Sequence, residues 1–397
     1  GGTFYQSEQK ITKANIDVVD SLVATNPQAV YDALIWATDN APRNEACLYT
    51  LAVLASGSTE ARNLAKLAFL KVVRTGTHLF HFADYVKLVG KRGWGRGLRN
   101  MVATYYAQDA DKVANHAIKY RQRDGWTHRD MLRLSHAKPL TPAHAEVFNF
   151  VTDKPIDLLQ APNAINQMVA LKAGGDPVSL AMGVVLPWEA FTDEQRTPEF
   201  WRAMLPNMPL GALVRNLSTM SRIGVLSAAD TDEVRIVVSK LTNADQVKRS
   251  RLHPVQLTDA MLVYQSGGRK SVYGRVNDKP FAPNSKIVAA LETAIGHAFK
   301  ALPDTGKRTL VALDVSGSMA SGPVGGSTLL TPRLGSAIMA VQHARDAGSS
   351  FHAFSTNFMS FPKSSFATVK GALRAISDLP FSGTDCALPM LHATRHK

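Results

Sequence analysis

An all-α superhelical array of the HEAT type, followed by a short α/β sheet, is the fold this sequence predicts. The first observation is a succession of short segments over residues 1–302 with apolar residues at three- and four-residue spacing and almost no strand-like alternation. The second is a change of pattern after Pro303-Asp304-Thr305-Gly306, where strand-like and helix-like segments alternate through residues 303–397. The third is length, since 397 residues exceed what one hydrophobic core usually supports. No exact repeat period is visible, so the array rests on helix length and loop spacing.

In chain order, helices are predicted over 29–39, 47–55 and 61–74, separated by Pro, Gly and Ser. Leu64, Leu67, Ala68 and Val72 form the expected buried side of the third. His78 and His81 stand at H-x-x-H spacing, but no third ligand lies nearby in sequence. Thr141-Pro142 gives an N-cap followed by Pro at the first helical position, opening a helix to about residue 151. Further helices are expected over 161–173, 199–205, 210–220, 231–242 and 254–264, then a loop over 269–284. A helix over 285–301 turns Ile287, Leu291, Ala294 and Ala298 inward. Beyond the boundary, 308–315 reads as a buried parallel strand, 332–347 as a helix, 350–355 as a second strand and 366–378 as another helix.

Charge is concentrated between Tyr85 and Lys138. That stretch holds twelve Lys or Arg against four Asp, most of the +13 carried by the whole chain. On a helix over 110–123, Lys112, His116, Lys119 and Arg123 fall in one row, with Val113, Ala117 and Tyr120 on the adjoining face. Asp124-Gly125 suits a helix stop, and Thr127-x-x-Asp130 a capping box that opens a second helix bearing Arg129, Arg133 and His136. Lys87, Lys91, Arg92, Arg96 and Arg99 add charge from the preceding segment. The bland alternative is a solvated face. Like charges four residues apart repel, however, unless an anion lies between them, and regularly spaced cations on a packed scaffold suit nucleic-acid phosphates. Trp94 and Trp126 are candidates for stacking on unpaired bases, or else packed aromatics at helix ends.

Asp314-Val315-Ser316-Gly317-Ser318 lies where the first predicted strand ends, the place where open α/β sheets bind ligands. One carboxylate and two hydroxyls in alternate positions are hard oxygen donors suited to Mg²⁺, and Ser382-Gly383-Thr384-Asp385 could add a further hydroxyl. The bland alternative is a Ser-rich turn that caps a helix.

Composition is ordinary for a globular protein, and a pI near 9.7 points to an anionic partner, either nucleic acid or an acidic membrane surface. Cys47 and Cys386 offer neither a disulfide framework nor a C-x-x-C metal site, which favours a reducing compartment. No run of eighteen apolar residues and no signal pattern occurs, so a soluble, intracellular protein is expected; a monomer in the cytoplasm with no membrane partner is the accompanying expectation. Clustered carboxylates for two metals, or paired His beside the basic groove, are also missing, which argues against a nuclease.

The Asp314 motif resembles the metal-ion-dependent adhesion site of von Willebrand factor A domains. The resemblance implies Asp314, Ser316 and Ser318 as first-loop ligands of Mg²⁺ or another divalent cation, and Thr384 as the second-loop ligand. In that family a further Asp on a later strand completes the shell, and this sequence stops before such a strand. It also opens on Gly1-Gly2 rather than Met, so a piece of a longer protein with a truncated A domain is expected.

Several ordered stretches together resemble the TROVE-domain family of Ro ribonucleoproteins, in its bacterial or phage branch. They are GGTFYQSEQK from Gly1, THLFHF from Thr77, WGRGLR from Trp94, KYRQRDGWTHRDMLRLSHAKP from Lys119, MPLGALVRNLSTMSRIGVL from Met208, RLHP from Arg251 and TGKRTLVALDVSGSM from Thr305. This resemblance implies a ring of HEAT-like helices closed by a Rossmann-like A domain. It also implies Lys119, Arg123 and His136 as contacts to a small structured Y RNA-like partner on the outer face. Single-stranded 3′ ends of misfolded RNA would enter the ring, with an exoribonuclease tethered through the RNA. The expected function is therefore a non-catalytic RNA-binding scaffold in RNA quality control or maturation. The rival reading is a metal-dependent protein-binding module whose basic surface is incidental.

Overall fold

The computed structural model describes residues 8–40, 45–90, 93–123, 125–183, 185–268, 280–302, 304, 306–324, 327, 329–377, 379–380 and 382–396, with side chains described from residue 17 onward. The chain forms two compact units, Gly1–Met204 and Leu205–Lys397.

The first unit is helical. Its helices are Glu8–Thr25, Pro27–Asn40, Glu45–Ser56, Thr59–Val72, Gly76–Val89, Arg96–Tyr106, Ala110–Lys119, His128–Ser135, Pro142–Val151, Asn163–Lys172, Pro177–Met182 and Pro198–Met204. Helix Glu45–Ser56 packs on both Thr59–Val72 and Gly76–Val89, and Thr59–Val72 reaches Arg96–Tyr106. Packing onto the next helix and the one after is what a stack of helical pairs requires. Helix starts are fixed by side-chain caps: Ser58 Oγ accepts from the amide of Ala61 at 3.2 Å, and Thr75 Oγ1 from that of His78 at 3.2 Å. Thr141 caps the helix that begins at Pro142, as its sequence predicts. Glu45–Ser56 is apolar nearly all round and buries Leu48, Leu51 and Leu54 completely.

One predicted face is rotated. Helix Thr59–Val72 buries Ala61, Ala65, Ala68, Phe69 and Val72, whereas Leu67 is 71% exposed. Three alanines on the inner side let the neighbouring helices approach closely, which turns Leu67 outward. Helices Arg96–Tyr106, Pro177–Met182 and Ala244–Ser250 are not among the expected ones, although Leu98, Met101, Val102, Tyr105 and Tyr106 of the first recur at three- and four-residue spacing and are buried.

The second unit joins helices to a sheet. Leu210–Arg222, Asp232–Thr242, Ala244–Ser250, Pro254–Gln265 and Ser285–Lys300 precede the strands. Ile287, Leu291, Ala294 and Ala298 are buried as expected. The expected loop over 269–284 lies mostly outside the described residues. Arg345 ties the last of these helices to the sheet region: its guanidinium donates to Phe299 O at 2.6 Å and Leu302 O at 2.9 Å, and also pairs with Asp304. These carbonyls end the helix and need donors.

A two-stranded antiparallel ribbon interrupts the first unit, β1 (Gln122–Arg123) with β2 (Trp126–Thr127). In the second unit β3 (Leu310–Asp314) runs parallel to β4 (Ser350–Phe354), with helix Pro332–His343 between them in sequence. Strand β5 (Phe358–Phe361) pairs antiparallel with β4 and was not anticipated. It follows β4 by only three residues, so the sequence shows one apolar patch rather than two strands. Helices Val369–Ser377 and Ala387–Arg395 follow. Arg333, nearly buried, donates to Ile376 O at 2.6 Å and Leu379 O at 2.8 Å, satisfying the end of helix Val369–Ser377.

Beneath the basic segment of the first unit lies a layer of aromatic and imidazole rings. Tyr105 Oη is 2.7 Å from His116 Nδ1, and Tyr106 Oη is 2.8 Å from His128 Nδ1. Phe80 meets His128 edge-on at 4.9 Å. Gly76 permits this contact, because a Cβ there would stand 2.7 Å from Tyr120 Cβ and 3.1 Å from His128 Nε2. Burial pushes His78, His116 and His128 down to about 4, with Arg74 adding to the effect at His78 and Lys112 and Lys119 at His116. The unfolded chain binds these protons at the ordinary value of 6.5, so stability is complete above that pH and is lost as pH falls from 6.5 toward 4. Melting temperature, followed by circular dichroism, is therefore expected to be flat above about pH 7 and to fall by pH 5, before most carboxylates titrate. A His116→Gln variant removes one of the three protons and should flatten that fall.

Candidate nucleic-acid interface and cation site

The basic face is a helix, a ribbon and a second helix. Helix Ala110–Lys119 starts at Asp109, whose side chain accepts from the amide of Lys112 at 3.0 Å, and buries Val113, Ala114, Ala117 and Ile118. It stops at Lys119 with Tyr120 as its C-cap, four residues short of the predicted end. Arg123 therefore lies on β1, not in the helical row. Asp124 of the expected helix stop lies outside the described residues; Gly125 is at φ 79°, and the chain turns back so that Arg123 sits opposite Trp126. The predicted capping box is present: Thr127 Oγ1 accepts from the amide of Asp130 at 3.2 Å, and Asp130 Oδ2 accepts from that of Thr127 at 3.0 Å.

The cations of this face differ in their surroundings. Lys112 is exposed and donates to Gln108 Oε1 at 2.7 Å. Lys119 is half-buried, with its ammonium 5.5 Å from the Tyr120 ring centroid. Arg96, Arg99, Arg123, Arg133 and His136 are exposed, and none forms an ion pair among the described residues. Arg129 is bound to Asp153 at 2.6 Å, which offsets part of its charge. His116 departs from its predicted role. It turns inward onto Tyr105, and its burial holds it neutral at neutral pH, so it supports the face rather than charging it. Lys91 and Arg92 lie outside the described residues. Arg121 and Lys172, not singled out in the sequence, line a hollow of about 320 Å³ together with Arg129. Arg121 is within the basic stretch and could have been named, but Lys172 gives no local signal.

His136 has an unusual backbone. It is the C-cap of helix His128–Ser135 at φ 53°, donating its amide to Leu132 O at 3.0 Å. Glycine is the usual residue there, and a side chain in the left-handed region costs about 1 kcal/mol.

At the sheet, β3 ends on Asp314, and its Oδ1 accepts from the amide of Ser316 at 2.8 Å. Ser316 and Ser318 hydroxyls are 3.3 Å apart, close to the edge of an octahedral shell around an ion with ligands at about 2.1 Å. The loop bearing Thr384 is held against this turn. Gly317 donates its amide to Ser382 O at 3.1 Å, and Asp385 donates to Ser355 O, at the end of β4, at 2.8 Å. A carboxylate and hydroxyls, with no thiolate or imidazole among them, fit a hard cation such as Mg²⁺. The described residues contain no cluster of three or more His, Cys, Asp or Glu able to hold a metal, which leaves H-x-x-H without a third ligand. His78 instead takes the amide of Arg74 on Nδ1 at 3.3 Å, and His81 lies 3.1 Å from Glu45. Among the described residues no helix is long and apolar enough to cross a membrane.

A stack of helical pairs with a basic ribbon-and-helix face, followed by an α/β sheet whose first strand ends in D-x-S-x-S, defines a helical-repeat protein joined to a von Willebrand factor A-type domain. Residues 3–172 and 186–270 match the TROVE domain, and residues 308–397 match the Ro60 vWA domain. The chain belongs to the TROVE-domain family. It is 34% identical over 408 residues to an RNA-binding protein RO60 of Deinococcus radiodurans, covering 100% of this chain and 76% of that relative. It is 27% identical over 480 residues to an RNA-binding protein RO60 of Caenorhabditis elegans, covering 100% of this chain and 73% of that relative. The crystal structure of the Deinococcus radiodurans RO (RSR) protein matches with a TM-score of 0.76 at 32% identity, covering 96% of this chain and 77% of that one.

The left-handed conformation of His136 separates its folding role from any contact it makes. His136→Gly is expected to leave thermal stability unchanged or raise it by up to about 1 kcal/mol. The same variant is expected to weaken RNA binding several-fold, read by fluorescence anisotropy in parallel with a melt.

Proposed function

We propose that this protein is a non-catalytic RNA-binding scaffold of a ribonucleoprotein. Its partner is a small structured non-coding RNA of the Y RNA kind, bound on the basic face of the first unit. Lys119, Arg123 and His136 make the central contacts, mostly to phosphates, and Arg96, Arg99, Lys112, Arg129 and Arg133 contribute field. Single-stranded 3′ ends of misfolded RNA are its second ligand, in RNA quality control or maturation. An exoribonuclease joins through the RNA, in the cytoplasm. The observation that carries this reading is the exposed set Arg96, Arg99, Arg123, Arg133 and His136 on packed elements, unpaired among the described residues. The names of the relatives, RNA-binding proteins, support it.

Association with RNA should weaken steeply with salt, since each phosphate neutralised contributes about −0.9 to the slope of log K against log salt on a duplex. A Lys119→Ala/Arg123→Ala double variant is expected to bind more weakly at low salt, with a slope shallower by about one to two contacts. An unchanged slope would make the face a merely solvated surface.

In this reading Asp314, Ser316, Ser318 and Thr384 would hold Mg²⁺ or another divalent cation, which would supply a Lewis-acidic charge able to bind a partner's carboxylate oxygen. The chain's own part is to orient the donors: the Ser316 amide fixes Asp314, and the Gly317 contact to Ser382 holds the second loop in place. Millimolar Mg²⁺ is expected to raise the melting temperature of the wild type but not of Asp314→Ala. Equal responses would remove the site. Partner binding that is abolished by a chelator and indifferent to RNA would instead favour a protein-binding module.

A further inference from the structure

Beside the cationic face, helix Gly76–Val89, the Trp94 loop, β2 and helix His128–Ser135 enclose an open cavity of about 620 Å³. Trp94 and Trp126 both line it and both remain partly exposed, so the indoles are accessible from the cavity rather than sealed in a core. Lys87 and Arg133 stand at its wall as exposed cations, and Asp130 supplies a single carboxylate.

The donor and acceptor chemistry narrows the occupant. Two indoles offer stacking surface, which favours a flat aromatic ligand and rewards a purine over a pyrimidine by area. Asp130 Oδ2 is occupied by the Thr127 amide at 3.0 Å and the Thr127 hydroxyl at 2.6 Å, while Oδ1 takes no hydrogen bond among the described residues. A carboxylate oxygen accepts from ring N–H and exocyclic amine groups. Guanine presents both side by side, whereas the uracil N–H is flanked by two carbonyls that a carboxylate repels. Lys87 and Arg133 suit the phosphates on either side of such a base. Trp126 is also the cross-strand partner of Arg123, so the ribbon that positions an expected phosphate contact positions one indole as well.

We propose that this cavity is a nucleobase pocket that takes one unpaired purine of RNA, guanine in preference to uracil, against Trp94 and Trp126. The pocket rests on the RNA-binding reading and adds a base-reading element to a face otherwise built for phosphates. It accounts for two tryptophans standing on the surface of the most basic stretch in the chain.

The test uses the intact protein and an eight-nucleotide single-stranded RNA with one central guanosine, compared with the same RNA carrying uridine or an abasic residue there. Affinity is expected to fall roughly tenfold from guanosine to the abasic residue, with uridine close to the abasic RNA, and binding should quench tryptophan fluorescence. Trp94→Ala and Trp126→Ala should abolish the discrimination while leaving the salt slope unchanged, because stacking releases no counterions. Trp94→Phe and Trp126→Phe should restore part of it, which separates stacking from misfolding. Binding with a steep salt slope but equal affinity for the guanosine and abasic RNAs would overturn the pocket and leave the basic face standing. No binding to this RNA or to a structured small RNA would overturn both.

Discussion

Two hydrogen bonds from adjacent tyrosines organise the first unit. Tyr105 and Tyr106 lie side by side on one helix and reach His116 and His128 on two others. Helix Arg96–Tyr106 is thereby fixed to both helices of the basic face. Each bond leaves a ring nitrogen and a hydroxyl satisfied inside an apolar layer, where an unpaired partner costs about 1–3 kcal/mol. The imidazoles stay neutral because burial opposes their charge. The layer is therefore tolerable only as a neutral network, and Lys112 and Lys119 beside His116 strengthen that preference. The exposed cations above stand on rigid supports, which lowers the ordering entropy that binding an anion requires.

The second unit solves a different problem by similar means. A loop that must present several oxygens to one point needs its backbone held, and here backbone hydrogen bonds do so from two directions. Asp314 is fixed by the Ser316 amide, and the later loop is fastened to both Gly317 and Ser355. Parallel pairing of β3 with β4, register Asp314 to Phe354, brings both strand ends to the same edge. Arg333 and Arg345 complete the support by saturating helix-end carbonyls, so two of the most shielded cations serve the fold and not a ligand.

Much of this was legible in the residues. The capped helix opened by Thr141-Pro142 and the strand ending at Asp314 follow from local chemistry and appear where it places them. The capping box at Thr127 likewise needs only its own four residues. What could not be read depends on tertiary partners. Asp124-Gly125 serves equally as a helix stop or a hairpin turn, and pairing of Arg123 with Trp126 decides between them. His116 has the spacing of a surface cation, and only the approach of Tyr105 makes it a half-buried, hydrogen-bonded ring. Lys172 joins Arg121 and Arg129 around one hollow from a helix far along the chain, a separation that leaves no sequence trace.

The central claim is that the Lys112-to-His136 face of the first unit is where RNA sits. Photocrosslinking a 4-thiouridine-labelled small structured RNA to the protein, with adducts mapped by mass spectrometry, tests it most directly. Adducts concentrated within residues 112–136 that disappear with unlabelled RNA as competitor are the predicted result. Adducts confined to residues beyond 204, or spread evenly and indifferent to competitor, would contradict it.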